Sequence, residues 1–302
     1  MNSVDVNVEQ KEAEKIEAPT GLAVIWRELI KDKLALFSFV LLIALVLFIY
    51  IYSFFLDQTE VTKIDLMNIF ARPNAENWLG TDYGGRDVFG QLIIGARNSL
   101  TIGILITLST SLIGITLGVV SGYFGGWVDY IIMRFIDFIL VLPTLMIVIV
   151  FVSIVPDYNV FHFIFIMSIF YWTSKARLIR SKTLAERELD YVSASKTMGT
   201  PDWKIILFQV LPNLSSIIIV NMTLNLAGNI GIETGLSYLG FGLPESVPSL
   251  GTLISYSTNP DVMQNKWWVW LPAALLILVL MLCINSVGQA LKRAADARQR
   301  LG

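Results

Sequence analysis

Hydrophobic positions in this chain do not alternate with polar ones. They gather into six long runs, at residues 34–56, 98–127, 131–155, 159–174, 213–234 and 267–291. Crossing the bilayer core takes about 20 residues of helix, with tolerance on either side. The pattern therefore predicts an all-α integral membrane protein with six transmembrane helices. Residues 34–56 make a first helix, 98–291 a five-helix core, and 57–97 and 235–266 two polar segments on one side. Residues 1–33 are a tail with an amphipathic end, and 292–302 are a basic tail.

The second run is dense in small residues, with Gly103, Ser109, Thr110, Ser111, Gly114, Gly118, Ser121 and Gly122. Small side chains let membrane helices approach closely, which places this helix centrally. Gly125 and Gly126 end it in a turn. In the third run Arg134 and Asp137 are spaced to pair across one helical turn, and Pro143 is set to kink the helix. The fourth is short and holds the single histidine, His162, which reads as an interfacial side chain before it reads as a proton carrier. Asn221, Asn225, Asn229 and Glu233 recur every fourth residue along the fifth, so they share one slowly drifting face. Four such groups facing lipid are costly. They either line a polar solute path or hydrogen-bond between helices, with Glu233 the least suited to a purely structural part. Trp267, Trp268 and Trp270 form an interfacial belt at the start of the sixth.

The polar segments carry their own patterns. Residues 1–20 read as a tail without an apolar signal region. In residues 21–33, Trp26, Leu29 and Ile30 share a face while Arg27, Lys31 and Lys33 reach toward headgroups, as an amphipathic segment or a plain basic flank. In LGTDYGGRDVFGQLIIGARNSL, from Leu79, glycines make turns and Thr81 and Asp82 are placed to cap a helix starting near Arg86. Val88, Leu92, Ile93 and Ala96 give that helix an apolar face, which predicts that it lies along the membrane surface. Asp82 and Asp87 lack the further ligands of a calcium loop. After residue 234 the Gly and Pro density breaks the helix, which predicts a short re-entrant or surface-lying element.

Residues 175–212 are the polar stretch on which the reading turns. A helix over 189–198 stops at Gly199, which takes a left-handed cap conformation without a Cβ penalty. Thr200 is placed to cap a second helix, with Pro201 in its first position and Asp202 facing its positive end. The small residues Ser193, Ala194 and Ser195 at the tip permit close approach by another surface. This helix–elbow–helix reads as a docking plug for a cytoplasmic motor.

Charge sets the orientation. With the N-terminus in the cytoplasm, seventeen of the 22 Lys and Arg fall on inner segments and five on outer ones. That bias predicts both termini and the elbow inside. Of the 302 residues, 55% are hydrophobic and 15% charged, well below the roughly 25% of a soluble domain. No basic stripe interleaved with aromatics suggests nucleic acid. One Cys, Cys283, and one His supply neither a disulfide nor a metal site, and no cofactor is expected on this chain. There is no G-x-x-x-x-G-K-[ST] loop for ATP and no nucleophile–base pattern, so the chain is not expected to be an enzyme. Charged groups for an ion-driven relay are nearly absent from the runs. A transporter of this composition needs energy from outside itself.

The stretch from Asp190 to Asn213 resembles the cytoplasmic signature of permease subunits of ATP-binding-cassette importers: E-A-A, three residues, G, nine residues, I-x-L-P. Ser193, Ala194 and Ser195 stand at E-A-A, Gly199 at the glycine, Gln209 at the I, and Leu211 and Pro212 at L-P. The leading Glu is Ser193 and the I is Gln209. The runs from Leu79 and from Glu233 (ETGLSYLGFGLPESVPSLG) resemble extracytoplasmic signatures of the dipeptide/oligopeptide branch, C-type. The resemblance implies a type I importer architecture in the cytoplasmic membrane of a bacterium. It implies a B-type permease partner, two cytoplasmic ATPases that hold ATP and Mg, an extracytoplasmic binding protein and a peptide substrate. It assigns Ser193, Ala194, Ser195, Gly199, Pro201 and Asp202 to coupling. The alternatives are a self-contained channel or secondary carrier and, on weaker grounds, a membrane enzyme.

Overall fold

A computed structural model of the chain describes residues 30–244 and 246–299. The tail at 1–20, most of the amphipathic segment with Trp26, Arg27 and Leu29, and the end of the basic tail lie outside the described residues. Among the described residues every named element is helical. Helix α1 is Lys33–Phe54, started by Asp32, whose carboxylate accepts from the amides of Leu34 at 3.0 Å and Ala35 at 3.1 Å. A single turn, α2, Gln58–Val61, follows. Helix α3 is Val88–Phe124; α4, Gly126–Val141, and α5, Thr144–Ile154, come next. Then come α6, Val160–Phe170, α7, Thr173–Arg187, and α8, Asp190–Thr197. Helix α9 runs over Asp202–Tyr238. Short helices α10, Leu250–Ser255, and α11, Pro260–Asn265, lead to α12, Trp267–Gln299.

Four of the described helices (α1, α3, α9 and α12) are long and apolar enough to cross a membrane, or five spans if α4 and α5 count as one. Pro143 does more than kink the third run: α4 and α5 meet at 74°, because proline lacks the N–H that would carry the helix past Leu142. The fourth run yields only the eleven residues of α6, capped by Asn159, before the chain turns at Tyr171 and Trp172. His162 stacks on Tyr158, and its Nδ1 is buried without a hydrogen-bond partner. Arg134 does pair with Asp137, at 3.8 Å, and Arg177 of α7 shares that carboxylate.

Helix α3 is the axis of the bundle. At 37 residues it is about 55 Å long, well beyond a hydrocarbon core of about 30 Å. The surface-lying helix expected before it does not exist. Val88, Leu92, Ile93 and Ala96 are all buried, as the first turns of this same rod. Its cap is Asp87, which accepts from Gly90 N at 2.7 Å, not Thr81 or Asp82.

Asp82 instead organises the loop between α2 and α3. Fully buried, it accepts from Gly84 N at 2.8 Å, Arg86 N at 3.0 Å, Arg86 Nε at 2.8 Å and Gln91 Nε2 at 3.0 Å. Replacing Asp82 with alanine strands a buried guanidinium and is expected to cost about 3–5 kcal/mol. Thermal unfolding of the purified chain in detergent checks this, and an unchanged midpoint would count against it.

Helix α9 runs on to Tyr238, past the break expected at residue 234, and of the two forms expected for the element after it the surface-lying one is not found. A capping box of Ser249 and Thr252 starts α10, whose Leu250 and Leu253 are buried among side chains of α3, α9 and α12. Gly95 of α3 leaves room for the Ser249 backbone, since a Cβ there would come within 2.9 Å of the Ser249 carbonyl carbon. The tryptophan belt is also revised. Trp267 is exposed, but Trp268 is buried and its indole donates to Thr81 O at 3.3 Å, so it fastens the loop before α3 to α12.

Candidate functional site: the elbow and the polar interior

Gly114, Gly118 and Gly122 sit four residues apart on α3 and meet α7 where it leads to the elbow. A Cβ on Gly118 would stand 2.6 Å from Ala176 O, and one on Gly122 would stand 2.8 Å from Arg180 O. The two helices therefore touch backbone to backbone, the arrangement that only small residues allow. An ion pair and two hydrogen bonds extend the seam: Arg180 grips Asp129 through two nitrogens, and Arg187 Nη1 donates to Gly122 O and Tyr123 O, both at 3.2 Å.

Beyond Arg187 the chain reverses into α8. Its C-terminus closes with Gly199 N donating to Lys196 O and Thr200 N to Ser195 O, both at 3.0 Å. These are the two bonds of a Schellman cap. Gly199 has φ +77°, as the sequence predicts. The second arm starts one residue later than expected. Pro201 is the cap residue in extended conformation, no side chain caps the helix, and Thr200 is not its N-cap. Asp202 opens the helix and accepts from Tyr123 Oη at 2.7 Å, which ties the second arm to the end of α3. Lys196 lies over the same tyrosine ring at 4.6 Å.

The second arm does not end before the fifth run; it is the start of it. Pro212 has no N–H to give to Phe208, and the preceding Ile206–Val210 relaxes into one π-helical turn. The rod from Asp202 to Tyr238 is thus continuous. Val192, Ile205, Val210 and Leu214 pack with Val119, Tyr123 and Ile179 into a small core inside the bend. Tyr191 donates to Glu186 Oε1 at 2.7 Å and accepts from Asn213 Nδ2 at 3.0 Å. Burial, helped by the Glu186 carboxylate, pushes its phenol up to about 12, so it remains a donor.

The predicted tip residues divide. Ser193, Ala194, Pro201 and Asp202 are exposed, and Gly199 is open to solvent. Ser195 is buried, donating to Tyr191 O at 2.9 Å and bonding Gln209 Oε1 at 3.0 Å. Ser195 and Gln209 occupy an alanine and an isoleucine position of the signature, so two departures from the pattern answer each other across the elbow. Ser195→Ala and Gln209→Ile singly are each expected to cost about 1 kcal/mol, and the double replacement close to nothing. Melting of the four proteins checks the cycle; strictly additive losses would refute the coupling. The side chains that stand out at the tip are ones that spacing alone did not single out: Met198, 78% exposed, and Trp203, 56% exposed.

The asparagine–glutamate stripe also divides. Asn225 Nδ2 donates to Asn221 O at 2.7 Å and to Asn221 Oδ1 at 2.9 Å, and both residues are half-buried. Asn229 is buried and donates to Thr107 Oγ1 of α3 at 2.8 Å. Glu233 is fully buried among hydroxyls, accepting from Ser99 and Ser237 at 2.9 Å each. The upper pair thus holds α9 to α3, and Glu233 does not reach a surface where it would meet a solute. No group of His, Cys, Asp and Glu suited to a metal is found among the described residues.

Comparison with known proteins agrees with this architecture. Residues 114–300 match the family of binding-protein-dependent transport system inner membrane components, and residues 22–73 match the N-terminal TM domain of oligopeptide transport permease C. The chain is 51% identical over 276 residues to the oligopeptide transport system permease protein OppC of Lactococcus lactis subsp. cremoris (strain SK11), covering 91% of this chain and 94% of that one. It is 37% identical over 292 residues to the permease protein AmiD of Streptococcus pneumoniae, covering 95% and 93%. A solved structure of the MetNI methionine ABC transporter in an inward-facing conformation shares the fold, with TM-score 0.54 and 18% identity, over 68% of this chain and 96% of that one. A long, glycine-seamed rod and a braced cytoplasmic-signature elbow, with these matches over most of the sequence, give one conclusion: the chain belongs to the inner-membrane permeases of binding-protein-dependent ABC transport systems, in the C-type oligopeptide-permease branch.

Proposed function

We propose that this chain forms one half of the membrane pathway of an oligopeptide importer and receives its energy through the 175–212 elbow. The observation that carries the reading is the elbow itself. Met198 and Trp203 stand out from a turn braced to α3 by Tyr123–Asp202, and the second arm is continuous with a spanning rod. Movement imposed at Gly199 therefore reaches the polar face of α9 without a flexible joint between. Relatives named for oligopeptide transport supply the substrate class.

The partners follow from the same reading. They are a second permease that completes the pathway, two cytoplasmic ATPases that hold ATP and Mg, and an extracytoplasmic binding protein that delivers peptide. Ser193, Ala194, Gly199, Pro201 and Asp202 form the docking surface, with Ser195 setting the elbow's shape from inside. Asn221 and Asn225 are the pathway-facing members of the stripe. Counting α4 with α5 as one crossing and α6 with the start of α7 as another gives six crossings. The distribution of Lys and Arg then puts both termini in the cytoplasm.

The test is reconstitution of the chain with and without the second permease and the ATPases, in vesicles supplied with binding protein and labelled peptide. ATP-dependent accumulation only in the full set is expected. Accumulation by this chain alone would instead support a self-contained carrier.

A further inference from the structure

Lys175 opens the polar stretch, yet it does not reach water. Its side chain is 3% exposed, and its Cβ side packs where Gly114 of α3 leaves space. Its ammonium donates to Thr110 Oγ1, and among the described residues no carboxylate pairs with it. Thr110 and Gly114 stand three to four turns from the inner end of α3, so this cation lies about 15–20 Å along the helix from that end. A buried ammonium without a counter-charge is costly, and an ionisable group at membrane depth marks a functional site by default.

A second observation points the same way. A small cavity beside Lys175 is lined by Ser111, Asn221, Ile218 and Met222, with room for about one water molecule. Ser111, 3% exposed, has a buried hydroxyl with no hydrogen-bond partner. Asn221 Oδ1 already accepts from Asn225, which leaves its amide N–H groups as donors. Lys175, the unpartnered Ser111 hydroxyl and Asn221 thus border one cavity, and no carboxylate lines it. Hydrogen-bond donors without a competing acid suit an anionic oxygen. Ile218, Asn221 and Met222 line the cavity from α9, whereas Lys175 and Ile179 of α7 and Ser111 and Ile115 of α3 line it from two helices held together by the glycine seam. Displacement of α9 opens the cavity and carries Asn221 with it, leaving Lys175 and Ser111 in place.

We propose that Lys175 and Ser111 form a carboxylate-binding point on the translocation pathway, exposed when α9 and its Asn221 shift and taking a peptide carboxylate, either the C-terminus or an acidic side chain. This rests on the peptide-import reading above. The cavity as it stands has room for about one water, so a carboxylate enters only with movement of α9.

The test uses the complete transport system in vesicles, with the same binding protein throughout. Uptake is measured for trialanine, for its C-terminal amide, and for the amide of Ala-Asp-Ala. Lys175→Met is expected to cut transport of trialanine roughly tenfold relative to the amide, the loss of one charge-assisted bond. Ser111→Ala, which removes only the idle hydroxyl, is expected to lower the same ratio by a smaller factor and guards against a folding failure of the first variant. Rescue of uptake by the Asp side chain in the wild type assigns the site to either carboxylate; its absence assigns it to the C-terminus. If both variants slow the free acid and the amide equally, or neither ratio moves, the proposal is overturned while peptide import stands. If the wild-type system transports none of the three peptides, both fall.

Discussion

Replacing Gly199 with valine is expected to reduce uptake at least tenfold while the chain remains in the membrane at its normal level. The residue has φ +77°. A left-handed conformation costs an ordinary L-residue about 1–2 kcal/mol, and a β-branched one more. Nothing lies within 4 Å of where a Cβ would sit, so no clash inside this chain contributes to the effect. The turn must change shape, the two Schellman bonds that close α8 are lost, and Met198 and Trp203 are presented in the wrong places. Asparagine, which tolerates the left-handed region, is expected to retain most activity. Uptake and membrane level measured together for Gly199→Val and Gly199→Asn check this. Normal uptake by the valine variant would remove the elbow from the coupling path.

Gly118→Leu is expected to act differently and more severely, by preventing the bundle from assembling. The new Cβ alone would lie 2.6 Å from Ala176 O and 2.9 Å from Ile179 Cβ. A backbone oxygen cannot swing aside as a side chain can, so α3 and α7 must separate. Overpacking of this kind costs about 1–3 kcal/mol even where side chains can yield. Here it also breaks the Arg180–Asp129 and Arg187 contacts farther along the seam. Gly228→Ala on α9, where nothing lies within 4 Å, is the matched control and is expected to be harmless. Membrane level and melting of both variants check the contrast.

These two glycines also show how much was legible in the sequence. Gly199 stood out because a helix of ordinary composition halts there before Thr-Pro-Asp, and local rules govern such turns. The Gly114–Gly118–Gly122 spacing announced close packing, but not its partner, since pairing of helices is a long-range property. Four of the six apolar runs form helices long and apolar enough to cross a membrane; the third does so only as the bent pair α4 and α5, and the fourth yields the shorter α6. Their boundaries failed where tertiary contact overrides local pattern. Asp82 looked like a cap but became the buried hub of a loop, and Asp87 took its place. Pro143 looked like a kink and proved a break. Trp268 looked interfacial and is core. Lys175 looked like the start of a solvated segment, because a charge at the edge of an apolar run gives no sign of which way it turns. The Ser195–Gln209 bond was invisible for a similar reason: each residue alone is a departure from a signature, and only the folded elbow makes them a pair.

The most direct test of the account is a crosslink. Cys283 is buried, so a cysteine placed at Met198 adds one reactive thiol at the tip of the elbow. In membranes containing the whole transport system, a short bifunctional thiol reagent is expected to join this cysteine to an ATPase subunit. Protection from an impermeant maleimide added outside intact cells is expected as well. A cysteine at Trp267, at the opposite end of the bundle, should behave in the reverse way. Labelling of the Met198 site from outside, or no ATPase adduct from it, would contradict the claim that this elbow is where the motor engages the permease.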